Sequence, residues 1–135
     1  MTYKVVSKYI KKVNFELKDT EAFLKLSENI KKYKINLDIK STQIRHQLLE
    51  INVILKLHRE DGHTLAEISH ATLIEVNQNQ IEKEVLKEII LVKVPSQVYV
   101  EIRKLFINLF ELSGYKDIKI EENVDFEKLY RLKKN

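Results

Sequence analysis

The sequence predicts an α+β fold: a four-stranded antiparallel sheet, two main helices packed on one side of it, and a short C-terminal helix. Three observations lead there. Apolar and polar residues alternate with period two over most of residues 1–77, and from Ile81 the apolar period becomes helical. Asp61-Gly62 lies between two strand-like runs, a hairpin signal because glycine tolerates positive φ. The only proline, Pro95, and one of the two glycines, Gly114, bracket the longest helical pattern. At 135 residues and 44% apolar, the chain reads as one domain, 1–135, with one core.

The first strand spans residues 3–17, with Tyr3, Val5, Tyr9, Val13, Phe15 and Leu17 on one face. Lys4, Lys8, Lys12, Asn14, Glu16 and Lys18 fall on the other. Residues 19–32 break the alternation and leave open a short helix around Phe23 and Leu26 or a long loop. Tyr33 to Lys40 alternates again, with Ile35, Leu37 and Ile39 inward. The polar stretch Ser41-Thr42-Gln43 separates it from a third strand, Ile44 to His58, and a fourth runs from Thr64 to Val76.

Ile81 to Ile90 reads as the first main helix, and Leu91 to Val94 as a short extended piece. The second helix runs from Pro95 to Gly114, with Ser96 as N-cap and Gly114 at the left-handed C′ position. Its apolar stripe is broad: Val98, Ile102, Leu105, Phe106, Leu109 and Phe110, widened by Val100, Ile107 and Leu112. Tyr115 to Ile120 reads as an extended connection, and Asp125 as the cap of a last helix, Phe126 to Leu132.

Composition excludes several kinds of chemistry. There is no cysteine, hence no disulfide, thiol nucleophile or cysteine-ligated zinc. His58 and His63 flank the hairpin turn without the further ligands a metal site needs. With Gly62 and Gly114 the only glycines, no loop can cradle a phosphate, and no hydroxyl sits in a nucleophile elbow. The expectation is a protein that is not an enzyme and uses no cofactor. Met1 to Val6 reads as the start of a strand rather than a signal, and no apolar run is long enough to span a membrane, so cytoplasmic residence is expected.

Charge is uneven. The net is +4, but residues 1–40 carry ten lysines against five acidic residues. A nucleic-acid-binding module is therefore the alternative function. Against it, most of these lysines read as the wet face of a strand, and Tyr3, Tyr9 and Phe15 share the apolar face instead of forming a stacking platform. The apolar supply on strands and helices exceeds what one domain of this size readily buries, which points to self-association or a groove for extended apolar peptide.

Several segments, in order over about residues 5–130, resemble the SecB family of protein-export chaperones. Y-I-K-K-V-N-F-E (9–16) is similar to that family's first strand, and I-N-L-D-I-K-S (35–41) to its second, built around Leu-Asp-Leu. T-L-A-E-I-S-H-A (64–71) resembles the Leu-x-Glu-Val strand after the hairpin. V-P-S-Q-V-Y-V-E-I-R-K (94–104) resembles the Cys-Pro-x-x-Leu-Phe-Pro-x-x-Arg entrance to the long helix. G-Y-K-D-I-K-I-E-E-N-V-D-F-E-K-L-Y (114–130) resembles the closing Val-Asp-Phe-x-x-Leu-Tyr.

The resemblance implies an ATP-independent holder of unfolded polypeptides, assembled as a dimer of dimers. Its clients would be preproteins or, in toxin–antitoxin relatives, an antitoxin. By position it implies a client groove lined by Leu37, Ile39, Ile89, Ile90, Val94, Val98 and Phe106, and an oligomer interface at Ala66, Ile68 and His70. It also implies a docking patch for the SecA motor at Glu16, Leu65 and Glu67. Lys12 stands where the family pattern has an acid, and the acidic tail is replaced by Arg131, Lys133 and Lys134, both of which weaken SecA docking.

Overall fold

The computed structural model describes residues 3–29, 33–59, 64–115 and 120–134. Four strands form one antiparallel sheet: β1 (Lys4–Phe15), β2 (Lys34–Arg45), β3 (Leu48–His58) and β4 (Thr64–Glu75). Their order is β1-β4-β3-β2, so β3 and β4 are central and β1 and β2 are edges. The residues expected to make the Asp61-Gly62 turn lie outside those described.

Register assigns each side chain to a face. Leu49, Ile51, Val53, Leu55 and Leu57 of β3 stand opposite Ile74, Thr72, His70, Ile68 and Ala66 of β4. These ten line the side covered by helices, and all are buried. Glu50, Asn52, Ile54 and Lys56, with Glu67, Ser69, Ala71 and Leu73, make the open face.

Two expectations change here. β2 does not stop at Lys40: Ser41, Thr42 and Gln43 continue it, paired with Ile51, Glu50 and Leu49, and Ile44 belongs to β2 rather than β3. The chain reverses at His46-Gln47, where Gln47 takes φ 66. Polar residues are tolerated in β2 because an edge strand has solvent beside it.

Nor does β1 alternate cleanly. Its register with β4 shifts between Val5 and Ser7 and again between Ile10 and Lys12. Each bulge adds one residue and reverses which face the next side chains take. Val5, Val13 and Phe15 keep the helix side as the alternation predicts. Between the bulges Lys8 and Ile10 turn to the helix side, and Tyr9 to the open face.

Helix α1 (Thr20–Asn29) resolves the undecided segment, its Ala22 N–H capped by Asp19 Oδ1 at 2.8 Å. Leu26 carries it into the core, fully buried.

The two main helices are continuous. Helix α2 (Lys83–Glu88) runs through a π turn (Ile89–Lys93) into α3 (Val94–Leu112). Leu91 to Val94 is thus helical, not extended, and Ser96 is not an N-cap: its hydroxyl donates to Val92 O at 2.6 Å, inside the helix. Pro95 explains the π turn. It has no N–H to give the carbonyl four residues back, and the ladder widens there, Val94 N–H reaching Ile89 O. One extra residue is absorbed, so Ile89 and Val94 both face the sheet, followed by Val98, Ile102, Phe106 and Phe110 at intervals of four. All six are fully buried.

The far end of α3 closes as predicted. Gly114 takes φ 97, its N–H donates to Glu111 O, and Tyr115 N–H donates to Phe110 O. This Schellman ending holds Tyr115 against Phe23 of α1, ring centroids 4.8 Å apart, with the Tyr115 hydroxyl donating to Phe23 O. Helix α4 (Phe126–Lys134) starts at Asp125, whose carboxylate caps Lys128 N–H. Tyr99 and Arg103 of α3 donate to Glu121 O and Ile120 O, and Phe126 stacks edge-on to Tyr99, fixing the C-terminal segment across α3.

Candidate functional site

The seven residues expected to line a groove divide by burial. Ile89, Val94, Val98 and Phe106 are fully buried in the single chain, sealed against β3 and β4 by the sheet-facing stripe of α3. Leu37, Ile39 and Ile90 are only half-buried at the margin of the same core. Leu37 and Ile39 lie on edge strand β2, opposite Leu55 and Val53, with no further strand beside them among the described residues. Ile90 lies in the π turn, where Val92 and, one turn earlier, Val85 and Leu86 are also half-buried. Val85 and Leu86 were not among the residues expected to line a groove. The widened turn fans consecutive apolar residues past the edge of the core, and periodicity alone does not show it.

Ala66, Ile68 and His70 are likewise buried beneath α3 rather than free on a surface. Their β1 neighbours are Phe15, Val13 and Ile10. Phe15 packs edge-on against Phe110, centroids 5.0 Å apart, while Ile10 and Val13 remain 54% and 44% exposed. The uncovered apolar surface of this edge is therefore on β1.

His70 joins a polar contact that the sequence did not reveal. Its Nε2 lies 3.3 Å from Glu101 of α3, and Lys8 reaches the same carboxylate at 3.6 Å, brought to this side by the first bulge of β1. Burial pushes the imidazole pKa down, Glu101 pulls it up and Lys8 pushes it down again, with a net fall. The neutral ring is the favoured form.

Of the residues expected to form a docking patch, Glu16 is exposed and Leu65 half-buried, and both line a cavity of about 220 Å³ with Lys18, Asp19, Tyr33 and Arg59. Glu67 stands apart on the open face, where it meets Lys12 at 3.4 Å and Lys56 at 3.7 Å. Lys12 thus touches one of the acids of the patch.

Elsewhere on the open face, Glu50 is 93% covered although no helix of the described residues lies over it, since its relative exposure is 7%. Tyr9 Oη donates to Glu50 Oε2 and Lys11 Nζ to Oε1, both at 2.6 Å, their side chains crossing β4 to reach β3. The Lys11 bond first, and then the Tyr9 bond, hold the carboxyl below its ordinary range. Asn52 Oδ1 accepts from Ser69 at 2.6 Å on the same face. Among the described residues, no group of three or more His, Asp or Glu side chains is placed to hold a metal ion, and no helix is long and apolar enough to cross a membrane.

This chain is similar to known proteins over its full length. The family model described as preprotein translocase subunit SecB matches residues 1–135. A protein-export SecB relative in Pelagibacter ubique is 32% identical over 136 residues, covering 98% of this chain and 97% of the relative. A SecB-like chaperone of Mycobacterium tuberculosis, solved in complex with a ChAD peptide from an antitoxin, matches with a TM-score of 0.64. That match covers 91% of this chain and 88% of the other at 12% identity, a likeness of fold. On the full-length family match and the 32% relative, the chain belongs to the SecB family of non-enzymatic protein-export chaperones.

Proposed function

We propose that the chain holds unfolded or aggregation-prone polypeptides in extended form, without ATP, along an apolar groove bordered by Leu37, Ile39 and Ile90. The observation that carries this reading is the fringe of half-buried apolar side chains on β2, α2 and the π turn, all at the margin of one core. A client residue laid on that fringe gains roughly 25 cal/mol per Å² of apolar area removed from water, before association costs. That favours broad selectivity for apolar segments. Ile89, Val94, Val98 and Phe106 act beneath this surface, as the packed floor that fixes its shape. The working state in this reading is a cytoplasmic dimer of dimers, with the exposed β1 edge, Ile10 and Val13, as part of its contact.

The contact of Lys12 with Glu67 favours an antitoxin client over transfer of preproteins to SecA, because it neutralises an acid of the docking patch Glu16, Leu65 and Glu67. The solved relative with its antitoxin peptide is a precedent for such a client. A toxin–antitoxin gene pair beside this gene supports that use, and its absence together with measurable SecA binding refutes it.

The groove is tested by suppression of aggregation of a chemically unfolded client in the absence of ATP. Leu37→Asp combined with Ile39→Asp should reduce client affinity at least tenfold while far-UV circular dichroism stays unchanged. Unaltered affinity in that folded variant removes the groove from β2.

A further inference from the structure

We propose that the β2 half of the open sheet face docks an acidic, extended polypeptide segment of a partner protein. Register places Lys34, Lys40 and Arg45 of β2 on this face, with Lys56 beside them on β3. Set among these four cations along β2, the one carboxylate is Asp38, and its Oδ1 already accepts the Ile39 N–H at 2.9 Å. Lys56 shares Glu67 with Lys12, two ammonium groups on one carboxylate, which leaves that cluster positive. Glu50 is taken by Lys11. Among the described residues, Lys34, Lys40 and Arg45 form no ion pair.

The positive charge is therefore concentrated along an exposed strand instead of cancelled within the sheet. Lys34 and Lys40 are six residues apart on one face, about 20 Å of strand, the reach of an extended segment of six or seven residues. A polypeptide fits better than nucleic acid. Tyr9, an aromatic ring of this face, has its hydroxyl held by Glu50, and Asp38 sits between Lys34 and Lys40, where a continuous phosphate backbone would meet negative charge. Spaced carboxylates can pair with the lysines and pass by Asp38. The surface lies on the opposite side of β2 from Leu37 and Ile39, so it is separate from the groove.

The test uses the full chain and three fluorescein-labelled probes: a twelve-residue alternating Glu-Ser peptide, its Lys-Ser counterpart and a twelve-nucleotide oligo-dT. At 50 mM salt the Glu-Ser peptide should bind most tightly, and its affinity should fall at least fivefold by 200 mM as exposed charges are screened. Lys34→Gln with Lys40→Gln should weaken it at least fivefold, and Arg45→Gln alone about twofold. Leu37→Ser with Ile39→Ser, which adds no charge to the strand, should change it less than twofold. Equal or tighter binding of the Lys-Ser peptide or the oligo-dT overturns the proposal. So does absence of Glu-Ser binding at 50 mM, or wild-type binding by the folded lysine variants.

Discussion

One sheet presents two faces whose interiors are made in different ways. On the helix side, Ile51, Val53, Leu55 and Ile68 are buried because α3 lays Val98, Ile102, Phe106 and Phe110 on them. On the open face, Glu50, Ser69 and Ala71 are buried with no helix of the described residues above, because Tyr9 and Lys11 reach over them from β1. The first interior rests on apolar packing, which is large in energy and, His70 apart, insensitive to pH. The second rests on charge-assisted hydrogen bonds and on the stems of long side chains, which contribute less and respond to protonation and salt.

The sharpest way to break this contrast is to empty the helix side. Phe106→Ala removes a fully buried ring at the centre of the stripe and should cost about 3–5 kcal/mol, read as a lower midpoint in urea unfolding. A loss below about 1 kcal/mol would mean that α3 is not the main cover of the sheet.

The next effect separates the faces by pH, since each buries one titratable group. His70 has a folded pKa below its ordinary value, so its contribution is complete above about pH 6.5 and is lost as pH falls from there through the folded value. Glu50 also has a depressed folded pKa. Its contribution is complete above about pH 4.3 and is lost as pH falls further. Stability measured against pH should thus decline in two acid-side steps. His70→Gln should flatten the upper step and Glu50→Gln the lower. If either variant flattens both, the two faces are coupled and not independent.

The smallest effect is expected at the edge. Ile10→Ser should change the stability of the dilute single chain by less than about 0.5 kcal/mol, because the side chain is more than half exposed. A larger loss that grows with protein concentration would show that a second copy covers β1.

The pattern of the chain made much of this legible. Period two located β4 and the body of β3 closely, though not the start of β3, because both central strands have one fully covered face and no bulge interrupts most of their length. The end of α3 at Gly114 and the start of α4 at Asp125 were also readable, since each depends on a backbone conformation or a capping oxygen that few residue types provide. The residues expected to line a groove were legible as apolar, but not their division into half-buried and fully buried. Leu37 and Val98 look alike in sequence, yet one sits on an edge strand and the other on the sheet-facing side of α3.

By itself, then, the sequence determined the α+β class, most of the central strands, the end of α3, the start of α4 and the absence of cysteine chemistry, all of which follow from local residue type and short-range period. The tertiary structure alone decided the facing of Lys8 and Tyr9, the continuity of α2 through the π turn into α3, and the pairing of Lys12 with Glu67. Bulges and the widened turn each shift the chain by one residue, and only the neighbouring strands and helices, through the hydrogen bonds and burial they impose, determine where that residue is inserted.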